Sequence, residues 1–202
     1  MSEQQNSVGK TRQTLIYMMQ AISRFILKLF GWQAELAVQM VDKCVLVGAP
    51  HTSNWDFPLA ILGMSAMGIK FNWVGKHTLF RWPLGIIMRS LGGIPLNRKT
   101  GGSGFAIKTL ESFHERSRFI LAIAPEGTRH RTGYWKAGFY KIALKSNVPI
   151  ALGYVDYSNR KIGIGRLFTP TGDKDKDFLQ IRNFYTDKSG KYPEKQGEIR
   201  LR

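Results

Sequence analysis

His51 and Asp56 stand five residues apart in the stretch APHTSNWDFPLA, where an apolar run gives way to a helix-like pattern. An imidazole with one nitrogen bonded to a carboxylate has a fixed tautomer, and its other nitrogen is left free as a base. Asp56 falls where a helix would begin, and the helix dipole favours a carboxylate there. Ser53 or Asn54 supplies a natural N-cap for that helix. The pair also reads as a structural histidine near an ordinary helix-start aspartate, and spacing alone does not separate the two. No enzyme nucleophile accompanies the base. There is no G-x-S-x-G elbow, and the single cysteine, Cys44, lies in the apolar run KCVLVGA as a packed, inert thiol. If the pair works, the nucleophile is a hydroxyl that the substrate brings.

Two further stretches carry candidate ligands. PEGTR, Pro125 to Arg129, follows the apolar run RFILAIA and offers a carboxylate on Glu126, a flexible Gly127, a hydroxyl on Thr128 and a guanidinium on Arg129. Arg129 suits a bidentate grip on phosphate. Glu126 would repel an anion unless it hydrogen-bonds a substrate hydroxyl or braces an arginine; the plainer alternative is a surface turn with a weak internal Glu–Arg pair. GGIPLNR ends at Arg98, a candidate for the other half of a phosphate clamp, although by itself it reads as a solvated arginine beside a Gly-rich turn. The following KTGGSG has neither dinucleotide-fingerprint nor P-loop spacing. DKDKD, Asp173 to Asp177, lacks the glycine and glutamate of a calcium loop and reads as a solvated turn or helix start. No Cys/His cluster has zinc spacing, so no metal is expected. His77, His114 and His130 read as surface residues.

The elements that must position these side chains alternate along the chain. Strand patterns fall at Cys44–Ala49, Phe71–Gly75, Arg118–Ala124 and Pro149–Tyr157, with GGIPLNR as a strand or turn and KIGIGRLF as a hairpin partner. Helical patterns fall at Trp55–Met67, Pro83–Leu91, Phe105–Glu115 and Ala137–Lys145. The alternation predicts a single α/β domain, a mixed and mostly parallel sheet flanked by helices. His51 and the PEGTR loop then lie just past carboxyl ends of strands, where α/β sheets commonly build sites. The polar stretch from Thr186 onward reads as a loosely held terminus.

Ahead of the sheet, Thr14 to Trp32 predicts an amphipathic helix. Leu15, Met19, Ile22, Ile26 and Leu29 form its apolar stripe, Phe25 and Phe30 widen it, and Arg24 and Lys28 lie elsewhere. Such a helix lies in a lipid interface, with Phe30 and Trp32 as anchors, or covers the domain core; the pattern fits both. No stretch has the apolar length of a membrane-spanning helix, and the segment lacks a signal-peptide cleavage site. A net charge of +16 calls for an anionic partner: nucleic acid, an acidic membrane surface, a phosphorylated substrate or an acidic carrier protein. The nucleic-acid reading wants basic residues clustered with exposed aromatics on one face, whereas here they run along the whole chain. One cysteine in 202 residues points to a reducing compartment.

Four ordered blocks resemble the glycerolipid acyltransferase family typified by 1-acylglycerol-3-phosphate acyltransferases. They are H-x-x-x-x-D at His51 and Asp56, G-x-x-x-x-R from Gly93 to Arg98, E-G-T-R from Glu126 to Arg129, and the V-P-I strand from Val148 to Ile150. The resemblance covers about Val45 to Tyr154. It implies that His51 and Asp56 activate an acceptor hydroxyl, which attacks the thioester of an acyl-CoA or acyl carrier protein. It further implies that Arg98 and the Glu126, Gly127, Thr128, Arg129 block hold the acceptor's phosphate, and that no cofactor takes part. The expected acceptor is a lysophospholipid, 1-acylglycerol-3-phosphate by default, with another lysolipid or an amphipathic alcohol as the alternative. Residues 1–35 become a membrane-associating segment and 36–202 the acyltransferase domain. The expected location is cytoplasmic, on the inner leaflet of the cell membrane and in contact with its anionic surface; nucleic acid is not expected as a partner. Departures from the family pattern at Pro50, His130 and Leu152 border the acceptor pocket and bear on acceptor choice.

Overall fold

A computed structural model describes residues 2–97 and 103–201, with backbone alone at 2–10, 12 and 103. Period-two alternation in the apolar runs splits each central strand between two cores. In β2 (Lys43–Gly48), Val45 and Val47 face one core while Cys44 and Leu46 face the other. β5 (Phe119–Ile123) and β6 (Ile150–Asp156) alternate in the same way. Strands buried on both faces read as continuous apolar runs, and this is why their residues are β-branched rather than alternately polar.

Around these, β1 (Gln33–Leu36), β3 (Asn72–Lys76), β4 (Gly93–Leu96) and β7 (Lys161–Phe168) complete one sheet in the order β1-β7-β6-β2-β5-β3-β4. The β6–β7 hairpin is antiparallel and every other pairing is parallel. The expected mixed, mostly parallel α/β sheet is therefore what forms. Helices α1 (Ser2–Leu29) and α2 (Asp56–Ala66) pack over one face. Helices α4 (Ser103–Glu115), α5 (Gly138–Ser146) and α6 (Lys174–Tyr185) cover the other, and α3 (Leu84–Ser90) joins β3 to β4. Gly63 in α2 lets that helix approach β7 closely, because a Cβ there would collide with Ile162.

Helix α1 meets the domain through Ser23 and Leu27, both buried. The Ser23 hydroxyl donates to Ser65 at 2.8 Å and the Arg24 Nε donates to the Ala66 carbonyl at 3.0 Å. The apolar stripe faces outward: Leu15, Met19, Ile22, Phe25 and Leu29 are all more than half exposed. Among the described residues no helix is long and apolar enough to cross a membrane.

Three expectations need correction. The stretch after Thr186 is not loose: Ile199 and Leu201 pack against the core, and the Trp135 N–H donates to the Arg200 carbonyl at 2.7 Å. DKDKD is a helix start, but it is not all solvated. Asp173 caps α6 by accepting from the Asp175 and Lys176 amides, while Asp177 is fully buried and accepts from the Tyr140 hydroxyl at 2.7 Å. Trp32 turns inward, against Tyr157, so of the two proposed anchors only Phe30 is exposed. Polar composition concealed the first two, because hydrogen bonds to backbone and to single buried partners leave no hydrophobic period, and Trp32 turns in against a ring far away in sequence.

Candidate active site

The parallel arrangement puts the carboxyl ends of β2, β3, β4, β5 and β6 along one edge. Past β2 the chain passes a cis Ala49–Pro50 peptide and folds into a tight loop before α2. Asp56, the first residue of α2, is what closes that loop. Its Oδ2 accepts from the Thr52 and Ser53 amides, each at 2.9 Å, and lies 3.1 Å from His51 Nδ1. The expected cap is displaced: Ser53 Oγ accepts from the Trp55 amide at 3.2 Å, and the N-cap position, Trp55, has no side-chain cap. A carboxylate at a helix start can outcompete a hydroxyl because it gathers two loop amides at once and meets the helix dipole.

Asp56 is buried, whereas the His51 side chain keeps 27% exposure. The imidazole is therefore anchored through Nδ1 and leaves Nε2 for a reacting partner, the geometry of a general base with its orienting carboxylate. The other carboxylate oxygen, Oδ1, accepts from the Tyr157 hydroxyl at 2.8 Å. Tyr157 follows β6, which lies beside β2 in the sheet, so the phenol arrives from the neighbouring strand end. Nothing in the spacing of the chain flags this contact; only the strand order reveals it.

Glu126 resolves the question posed by its charge. It lies past β5, is buried, and its Oε1 accepts from the His51 backbone amide at 3.0 Å. Its Oε2 is buried with no hydrogen-bond partner among the described residues. Burial, only partly offset by the His51 amide bond, pushes the Glu126 carboxyl up to about 7. The group is thus turned toward the histidine loop, and near neutral pH about half of it is protonated, which lessens the charge that would repel an anion.

The rest of the block turns outward. Gly127 has φ +66°, the left-handed region that a side chain resists, and its amide closes the turn onto the Ala124 carbonyl at 3.1 Å. The Thr128 hydroxyl accepts from the His130 amide at 3.3 Å. Arg129 is exposed and donates through Nη1 to the Asn54 side-chain oxygen, which ties this loop to the His51 loop. Arg98 lies outside the described residues; β4 ends at Leu96, on the same edge. The terminal segment also reaches the site, with the Tyr192 amide donating to Thr52 Oγ1 at 3.2 Å and Lys191 over the Trp55 ring at 5.4 Å.

Cys44 does not compete for a chemical role. It is fully buried inside β2, and burial pushes its thiol up to about 12. A hollow lined by Lys43, Phe113 and Lys145 among others lies at the amino-terminal end of β2, away from His51. The residues with chemistry sit instead on an open sheet edge, which we take as the site because the dyad and the bracing carboxyl meet there.

A family model described as Acyltransferase matches residues 33–151, more than half of the chain. The chain belongs to the acyltransferase family. The matched span holds His51, Asp56 and the Glu126–Arg129 block, and ends before Tyr157. Among solved structures, this acyltransferase resembles the crystal structure of the 1-acyl-sn-glycerophosphate (LPA) acyltransferase PlsC from Thermotoga maritima. The likeness has a TM-score of 0.57 and 16% identity, covering 93% of this chain and 80% of that one. At that identity the likeness establishes a shared fold. No curated protein matches the acyltransferase significantly.

Proposed function

We propose that this acyltransferase moves a fatty acyl group from a thioester donor, acyl-CoA or acyl carrier protein, to the free hydroxyl of a lysophospholipid. The acceptor that best fits the site is 1-acylglycerol-3-phosphate, which would give a phosphatidate. The observation that carries this reading is the 3.1 Å contact between His51 Nδ1 and Asp56 Oδ2, with Nε2 left for the acceptor and no enzyme nucleophile beside it. In the proposed reaction Nε2 takes the hydroxyl proton as the oxygen bonds to the thioester carbon. The C–S bond then breaks, and the imidazolium returns that proton to the departing thiolate. Glu126 holds the His51 peptide, while Arg129 and Arg98 receive the acceptor's phosphate beside Gly127 and Thr128.

The outward stripe of α1 supports a second part of the reading. An exposed row of Leu15, Met19, Ile22, Phe25 and Leu29 on a chain of net charge +16 suits insertion into the interface of an anionic leaflet. Residues 1–35 would then hold the enzyme at the bilayer that carries its acceptor, on the cytoplasmic side. A test is to supply palmitoyl-CoA or palmitoyl acyl carrier protein with each of several lysolipids in anionic vesicles and identify the product by mass. Phosphatidate formed from lysophosphatidate in preference to lysolipids with larger headgroups supports the reading. Equal use of uncharged alcohols would remove the phosphate clamp from it.

A further inference from the structure

We propose that Tyr157 is a positioning residue of the acyl transfer, holding Asp56 from behind so that His51 works with the right tautomer and over the right pH range. This inference rests on the reading of His51 as the base.

The two oxygens of Asp56 divide their work. Oδ2 is shared among His51 Nδ1 and the Thr52 and Ser53 amides, all of which come from the loop that the carboxylate itself closes. Oδ1 is held by the Tyr157 phenol at 2.8 Å, among the described residues the one side-chain hydrogen bond that reaches Asp56 from another part of the sheet. Without it Oδ1 loses this hydrogen bond, and the carboxylate is held only through Oδ2, which leaves its plane less firmly set against His51.

The phenol is itself fixed. Its ring meets Trp32 edge-on, with centroids 5.0 Å apart, and the Tyr157 amide donates to the Ser189 carbonyl at 2.8 Å. The Trp32 amide donates at 2.8 Å to the carbonyl of Leu27, the buried residue near the end of α1. A continuous packed chain therefore runs from α1 through Trp32 and Tyr157 to Asp56 and His51. Burial and the adjacent Asp56 raise the phenol above its ordinary range, so it remains a donor throughout the working pH.

A donor on Asp56 also draws negative charge away from the imidazole. Removing it leaves the carboxylate's charge more fully directed at the ring, so the pH dependence of the reaction should change. Among the described residues, the other titratable and charged groups near this pair include Glu126 after β5, Tyr192 and Lys191 of the terminal segment, and Arg129 through Asn54.

The experiment compares wild type, Tyr157→Phe and His51→Ala for palmitoyl transfer to lysophosphatidate in anionic vesicles, with kcat, KM and the pH profile of kcat/KM. Loss of a hydrogen bond to a charged group predicts a kcat roughly tenfold lower or less, with KM within about twofold. The acid limb of the profile should move up in pH. A second variant carries trifluorotyrosine at 157, a stronger donor of the same shape, and should move the limb the other way. An unchanged kcat and limb in Tyr157→Phe would overturn the proposal, as would a change confined to KM. If Tyr157→Phe folds poorly, the fluorinated protein decides alone: a lowered limb supports the proposal and an unmoved one overturns it. Full activity in His51→Ala would instead remove the base reading beneath it.

Discussion

Replacing Glu126 by glutamine isolates a single buried proton. The carboxyl is pushed from its ordinary 4.5 to about 7 in the folded chain, chiefly by burial, and returns to the ordinary value on unfolding. Because the folded pKa is raised, the folded protein holds a proton that the unfolded chain has lost between those two pH values. The Glu126 contribution is thus fully present below pH 4.5 and falls as pH rises through about 7. The slope is about 1.4 kcal/mol per pH unit for one proton, so the whole loss is about 3 kcal/mol. Glutamine keeps an oxygen to accept the His51 amide bond and has no proton to lose. Urea unfolding of both proteins at a series of pH values from 4.5 to 8.5 reads the difference directly, because all other titrations cancel. Glu126→Gln should resemble wild type at the acid end and gain steadily, up to about 3 kcal/mol above pH 7. A stability difference that stays flat across that range would refute the buried, proton-holding carboxyl and the explanation of why Glu126 does not repel the acceptor.

The other predictions concern the parts around the dyad. Arg129→Ala should raise KM for lysophosphatidate by roughly tenfold or more with kcat little changed, since a charge-assisted phosphate contact contributes about 1.5–3 kcal/mol; steady-state kinetics checks it. Deleting residues 197–202 removes Ile199, Leu201 and the Trp135–Arg200 bond, and should cost about 2 kcal/mol in urea unfolding. A truly loose terminus would cost nothing. Glutamates at Phe25 and Leu29, both two-thirds exposed, should weaken sedimentation with anionic vesicles by about tenfold or more without lowering the unfolding temperature. Unchanged vesicle binding would show that α1 only covers the domain.

How much of this was legible in the chain depended on what each residue answers to. β2, β5 and β6 are readable because burial on both faces leaves β-branched runs such as CVLVG and FILAI. His51 and Asp56 are readable because loop and carboxylate are neighbours in sequence, and the E-G-T-R block because it is contiguous. β1 escapes notice because QAEL is a four-residue edge strand with little apolar content. α6 is half legible: DKDKD reads as a solvated turn or helix start, while Asp177 is in fact buried against Tyr140 and Thr171. The Glu126 contact with the His51 amide and the Tyr157 contact with Asp56 join residues 75 and 101 positions apart. Such contacts follow from strand order, which no local pattern encodes.

The central claim is that His51 draws a proton from a lysolipid hydroxyl and that no enzyme nucleophile intervenes. Single-turnover transfer of a radiolabelled palmitoyl group from palmitoyl-CoA to lysophosphatidate, in anionic vesicles, compares wild type with His51→Ala at equal folded concentration. The account predicts labelled phosphatidate from wild type at a rate about 10²- to 10⁴-fold above His51→Ala, with no label on the protein at any time. A variant that transfers as fast as wild type, or a palmitoyl-protein intermediate that accumulates before product, would contradict it.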